Sequence, residues 1–234
     1  MVQPSTLTHT SLREQVYEYL RRAINRGELR PGAFLDQNRL SAELGISRQP
    51  LRDALIQLET EGLVTVLPRR GVLVTRLTLD DIRHLYEVIG ALEGAAVVSV
   101  SAQLDADHLD SMRALNADMV LAIDDGDFDT YYDLNLAFHN VFLDLSDNEA
   151  LVRTVEVAKQ RLYDFPRPKD FVPDWELAST GEHAEFVDLL EQGQTQAGAD
   201  YLRDVHWSFE VQRPFIMQYY FPGRHDDAAR EGRA

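Results

Sequence analysis

Three histidines and one asparagine have the residue types of a metal site. His139 lies in NLAFHNVFLDL with Asn135 four positions earlier, His183 in GEHAEFVDLLEQG, and His206 in YLRDVHWSF. Residues four apart share a helix face, so Asn135 and His139 can point the same way. A pair at that spacing, with one donor from each of two further helices, can build a metal site inside a bundle. Three imidazoles and an amide oxygen are a neutral set that suits Zn²⁺ or Ni²⁺ better than Mn²⁺ or Mg²⁺. The spacing alone is weak, because a buried histidine satisfied by a carbonyl is commoner than a ligand. His9, His84, His108 and His225 read as surface residues.

A second constellation has a different chemistry. Arg48 and Arg52 are four apart at the start of a helical run, with Gln49 beside them. Arginine and glutamine there can reach guanine and adenine edges or phosphates, and the helix N-terminus itself favours a phosphate.

The elements that must position these residues fall into two modules. A helix is expected from about Ser11 to Asn25, with Ser11 and Glu14 as a capping box. Leu12, Val16, Leu20 and Ile24 form its buried stripe. A second helix covers about residues 37–44 and ends at Gly45. Ser47 caps a third, with Pro50 in its first turn, where no donor is missed. Leu51, Leu55 and Leu58 bury one side of it. Residues 63–66 and 72–75 are β-prone runs around Pro68-Arg69-Arg70-Gly71. The result is a helix-turn-helix with a hairpin wing, whose basic tip suits a minor groove or a phosphate backbone.

From Thr78 onward the periodicity is helical, with runs at about 79–102, 105–125, 128–145, 148–165, 174–192 and 195–219. That is an all-α bundle of about six helices. The fold class is therefore mostly α: a winged helix-turn-helix at residues 1–76, a helical domain at 77–220, and a polar tail at 221–234 expected to be disordered.

Net charge is −16, which at first argues against a nucleic acid partner. Residues 1–76, however, hold 11 Arg against 8 acidic residues, +3, while residues 77–234 hold 12 basic and 31 acidic, −19. Such asymmetry suggests modules with different partners. The chain has no cysteine, which excludes disulfides and cysteine zinc sites and fits a reducing cytoplasm. No apolar run is long enough to span a bilayer, and no secretory signal is visible.

The stretch LSAELGISRQPLRDALIQLETEGLV resembles the GntR family of bacterial transcription regulators. In that family the arginines matching Arg48 and Arg52 contact operator DNA, and the wing glycine matching Gly71 approaches the minor groove. Arg69 and Arg70 flank it. Asn38 stands where an arginine often contacts DNA, so one contact is altered or lost, and Arg39 is not assumed to replace it. The pieces LYEVIGALE (85–93), YYDLNLAFHNVFLDLSDNEAL (131–151) and EHAEFVDLLEQGQTQAGADYLRDVHW (182–207) resemble the FCD ligand-binding domain of the FadR-type subfamily. Many members bind a divalent metal through an Asp or Asn and three His, which maps onto Asn135, His139, His183 and His206. The metal then holds a small carboxylate effector. Asn135 in place of Asp removes one negative charge, and Ile89 in place of an arginine makes the pocket less cationic. Arg161, Tyr163 and Trp207 are candidate pocket-lining residues.

The resemblance implies a transcription regulator and not an enzyme, most simply a cytoplasmic repressor. It would read a short inverted-repeat operator as a homodimer, controlled by a small organic or sugar acid. Two alternatives stand beside it. A metal-dependent enzyme fused to a DNA anchor would need a base, and Glu182 is the only candidate. An architectural DNA binder would have no ligand.

Overall fold

Val16, Leu20, Ala23 and Ile24 recur at helical spacing and bury one stripe of α1, Leu12–Asn25. The computed structural model describes residues 11–163 and 172–221. Ser11 caps α1 by accepting from the Glu14 backbone N–H at 3.2 Å. Contacts divide the chain into two units: residues up to Leu77 together with residues 160–163, and residues 78–159 with those from Val172 on.

In the first unit α1 packs on α3, Arg48–Thr60, whose Leu51, Ala54, Leu55 and Leu58 are buried. Between them lie β1, Phe34–Leu35, and α2, Gln37–Glu43, capped by Asp36, which accepts from Asn38 N and Arg39 N. Gly45, at φ 64°, makes the turn between α2 and α3 in a conformation that favours glycine. Ser47 occupies the N-cap of α3 but makes no side-chain cap bond, against expectation. The wing is β2, Val64–Leu67, and β3, Gly71–Val74, paired antiparallel with Val64 opposite Val74 and Leu67 opposite Gly71. The expected hairpin is present, and β1 adds a third strand to it, giving the order β1-β3-β2. β1 is two residues long, too short to leave a period-two signal in sequence.

The second unit is helical among the described residues. α4 (Leu79–Val100) opens on a full capping box between Thr78 and Asp81. α5 (Ala106–Asp124) and α6 (Phe128–Leu143) are capped by Asp105 and Asp127. α7 spans Glu149–Tyr163 and α8 spans Pro173–Glu191. The run expected as one helix over 195–219 is broken. It comprises α9 (Thr195–Tyr201), a π-helical turn at Leu202–His206, and α10 (Phe209–Tyr220) with Ser208 as N-cap. The core between these helices includes Ile89, Val97, Met112, Met119, Phe138, Phe142 and Phe186. Among the described residues no helix is long and apolar enough to cross a membrane. The expected tail lies, from residue 222, outside the described residues, as do His9 and His225.

Candidate metal centre and nucleic-acid interface

His139 on α6, His183 on α8 and His206 in the π-helical turn converge. Their ring centroids are 4.8–5.3 Å apart, and one ring nitrogen from each lies within 4.8 Å of the others. All three are buried. His183 is held flat against Phe138, ring centroids 4.0 Å apart. The π turn is one residue wider than α-helical winding, a feature frequent at functional sites. Here it carries His206 into the cluster and sets Trp207 beside it.

Each imidazole has an oxygen against its Nδ1. Glu93 Oε2 lies 3.0 Å from His139 Nδ1, Asn116 Oδ1 3.2 Å from His183 Nδ1, and Glu182 Oε2 2.8 Å from His206 Nδ1. The Asn116 amide is oriented by its own donation to Thr180 O at 2.9 Å. On His183 and His206 the hydrogen-bonding oxygen favours a proton on Nδ1 and leaves Nε2 as the free lone pair, while His139 Nδ1 lies close to Glu93 without a hydrogen bond. Among the described residues His139 Nε2, His183 Nε2 and Asn135 Oδ1 are buried without a hydrogen-bond partner. Asn135 lies one turn before His139 on α6 and is itself buried. Buried polar atoms are normally paired. Burial pushes His139 down to about 4 and His183 well below its ordinary value, so both rings are neutral near pH 7. Neutral imidazole is the form that binds a metal. This donor set fits a divalent ion.

Glu93 anchors the surroundings. Its side chain is fully buried, Trp207 Nε1 donates to Oε2 at 2.7 Å, and Lys159 Nζ lies 2.5 Å from Oε1. Burial works against a charge on Glu93; the His139 ring and the Lys159 ammonium outweigh it and hold the carboxyl well below the usual range. Lys159 also lies 5.5 Å from the Trp207 ring centre. Two glycines allow this approach. A Cβ at Gly90 would fall 2.9 Å from Trp207 Cβ and 3.2 Å from Arg203 Cα, and one at Gly94 would fall 3.1 Å from Ala199 O. Their absence lets α4 lie against α9 and the π turn.

Trp207 thus stands at the cluster. Arg161 and Tyr163 group by their contacts with the first unit, where the Arg161 guanidinium covers the position of a Cβ on Gly62 and Tyr163 O accepts from Asn25 Nδ2 at 3.4 Å. Their sequence position, one helix from the histidines, gave no hint of this. Ile89 is fully buried in the core. Glu182 holds His206 and accepts from Gln212 Nε2 at 2.8 Å, so both of its oxygens are engaged in orienting neighbouring side chains. Glu93, Asn116 and Lys159 were not anticipated. Only the position of Glu93 within LYEVIGALE hinted at a role.

In the first unit Arg48, Gln49 and Arg52 are exposed at the start of α3. Gln49 Nε2 donates to Asp53 Oδ1 at 2.8 Å, which steadies it along the helix. Asn38 is exposed on α2, and Arg39 is drawn to Glu43 at 2.9 Å. At the wing tip Arg69 takes a left-handed φ of 63°, uncommon for a non-glycine residue, and Gly71 has φ 111°. Arg70 rests over the Phe34 ring, 5.9 Å from its centre, while Arg69 is exposed.

Residues 12–74 match the bacterial regulatory proteins of the gntR family, and residues 84–206 match the FCD domain. The chain belongs to the GntR family. This GntR regulator is 32% identical over 143 residues to the uncharacterized HTH-type transcriptional regulator YdhC of Bacillus subtilis, covering 61% of this chain and 64% of that one. It is 26% identical over 146 residues to the HTH-type transcriptional repressor RspR of Escherichia coli, covering 62% and 64%. The chain thus spans 64% of the length of either relative. The solved structure of E. coli McbR/YncC shares the fold, with a TM-score of 0.65, 21% identity, and coverage of 89% of this chain and 96% of that one. The matched domains and relatives are those of transcription regulators, not enzymes. A GntR helix-turn-helix implies binding to DNA, and an FCD domain implies a small-molecule effector.

Proposed function

We propose that this GntR regulator is a repressor that binds a short inverted repeat as a homodimer and is controlled by a small organic or sugar acid at a divalent metal. Residues 1–76 read DNA and residues 77–220 bind metal and effector. The observation that carries this reading is the set of buried, unpartnered atoms His139 Nε2, His183 Nε2 and Asn135 Oδ1, with an oxygen on each histidine Nδ1. With His206 they make a neutral four-donor set suited to Zn²⁺ or Ni²⁺. A divalent ion held there supplies positive charge and a coordination position for the carboxylate of an effector.

The protein residues do the rest. Asn116 and Glu182 hold their imidazoles in the tautomer and orientation a metal needs, and Glu93 lies against the third. Phe138, Phe142 and Phe186 exclude water and strengthen charge interactions inside. Arg48, Gln49, Arg52 and Asn38 face base edges or phosphates, and Arg69, Arg70 and Gly71 approach the neighbouring groove. Effector and operator binding are linked reciprocally: if acid weakens DNA binding, DNA weakens acid binding by the same factor. The place of action is the cytoplasm, where the operator is.

Metal analysis of the purified chain and titration of the metal-stripped chain with Zn²⁺ and Ni²⁺ test the reading. One ion per chain is expected, raising thermal stability because it binds the folded state. His183→Ala with His206→Ala should abolish binding and keep the helical circular dichroism. Asn135→Asp should tighten the ion. A wild-type chain that takes up neither metal would refute the site.

A further inference from the structure

Glu176 lies on α8 with 6% exposure, and its Oε2 is buried with no hydrogen-bond partner among the described residues. Glu176, Thr180 and His183 are all buried residues of α8, spaced i, i+4 and i+7, and so share a face. Tyr86 reaches the histidine cluster through Trp207, whose ring centre lies 5.1 Å from that of His206. It packs edge-on against Trp207, with ring centroids 5.3 Å apart, and it feels the charges of both Glu182 and Glu176. Tyr131, also buried, feels the same two carboxyls. An unpaired buried carboxyl is costly unless something pairs with it. Lys159, a buried cation of this unit, already faces Glu93. Burial lifts Glu176 to about 7, with its own backbone N–H pulling the other way.

We propose that Glu176, on the buried face of α8 that also carries His183, is a second anchor of the effector pocket and takes an ammonium group, so that the effector is an amino acid whose amine stands several bonds from its carboxylate. The inference rests on the acid being held at His139, His183 and His206. A cation meets there a buried carboxyl with one oxygen unpaired, which attracts it. The seven-residue separation of Glu176 and His183 corresponds to about 10 Å of helix, which their side chains shorten, and a chain of about four to six bonds between amine and carboxylate spans the rest.

Calorimetric titration of the zinc-loaded full chain with 5-aminopentanoate, pentanoate and 5-hydroxypentanoate tests this. The amine should bind about 10-fold or more tighter than either analogue, the worth of a hydrogen bond between charged groups. Glu176→Gln should erase that preference. Equal affinity of amine and pentanoate, or of amine and alcohol, overturns the proposal, and the wild-type ranking decides it even if the variant does not fold. Persistence of the preference in Glu176→Gln also overturns it. If none of the three acids binds the zinc-loaded chain, the underlying acid-at-metal reading falls first and takes the second anchor with it.

Discussion

Glu93 Oε2 and His139 Nδ1 meet at 3.0 Å with both side chains wholly buried, 46 positions apart in the chain. The same carboxylate faces Lys159 through its other oxygen. One acidic group therefore orients a candidate ligand and neutralises a buried cation.

Glu93→Gln should separate these roles. Loss of an outer partner of a metal ligand lowers metal affinity by about 10–100-fold. Leaving Lys159 buried without its counter-charge should destabilise the fold by about 3–5 kcal/mol. Adding Lys159→Met should recover stability but not metal affinity. Metal titration alongside urea unfolding reads both, and joint recovery would show that Glu93 acts on the site only through folding.

Arg48→Ala and Arg52→Ala should each weaken specific DNA binding by about 1–3 kcal/mol. The duplex can be selected from a random pool with the wild-type chain and affinities compared at one salt concentration. Unchanged affinity in both variants would remove α3 as the reading helix.

Gly90→Ala should be worse than its size suggests. The new Cβ would meet Trp207 Cβ and the Arg203 backbone, neither of which is the far end of a flexible chain. Overpacking of this kind costs about 1–3 kcal/mol. It should also loosen the Trp207–Glu93 hydrogen bond, shifting tryptophan fluorescence and weakening metal. A variant with wild-type melting and metal affinity would count against close packing of α4 on the π turn.

The raised value of Glu176 gives a pH dependence. Its carboxyl titrates at about 7 in the folded chain against an ordinary 4.5, because burial disfavours the charge. The folded state therefore holds the proton more tightly. The stability this contributes is fully present below 4.5 and lost as pH rises through 7. Glu176→Gln should accordingly gain melting temperature relative to wild type between pH 5 and pH 8 (conditions chosen to bracket that window). A constant difference across the range would mean that the carboxyl is solvated.

The helices and the candidate residues Asn135, His139, His183 and His206 were legible in sequence because each depends on local spacing or residue type; the structure brings the three histidines together. Asn135 and His139 share a face by helical period alone, and Arg48 and Arg52 do the same on α3. What was not legible depends on contacts between distant segments. Glu93, Asn116 and Lys159 reach the site from three different helices, and no local pattern distinguishes them from other polar residues. The π turn was missed because Tyr201 to His206 keeps an apolar spacing that suits an α-helix equally well. Arg161 and Tyr163 were placed with the histidines by proximity in sequence, but the last turn of α7 belongs with the first unit.

The widened turn at Leu202–His206 also gives the site a mutational weakness. A π turn is an α-helix carrying one surplus residue. Deleting a single codon within it would restore regular winding while leaving the residues on either side in phase. The helix would survive and the bundle with it, and only the local widening beside His206 and Trp207 would be lost. A lineage of this architecture can therefore reshape the surroundings of the histidine cluster in one genetic step and keep both folded units.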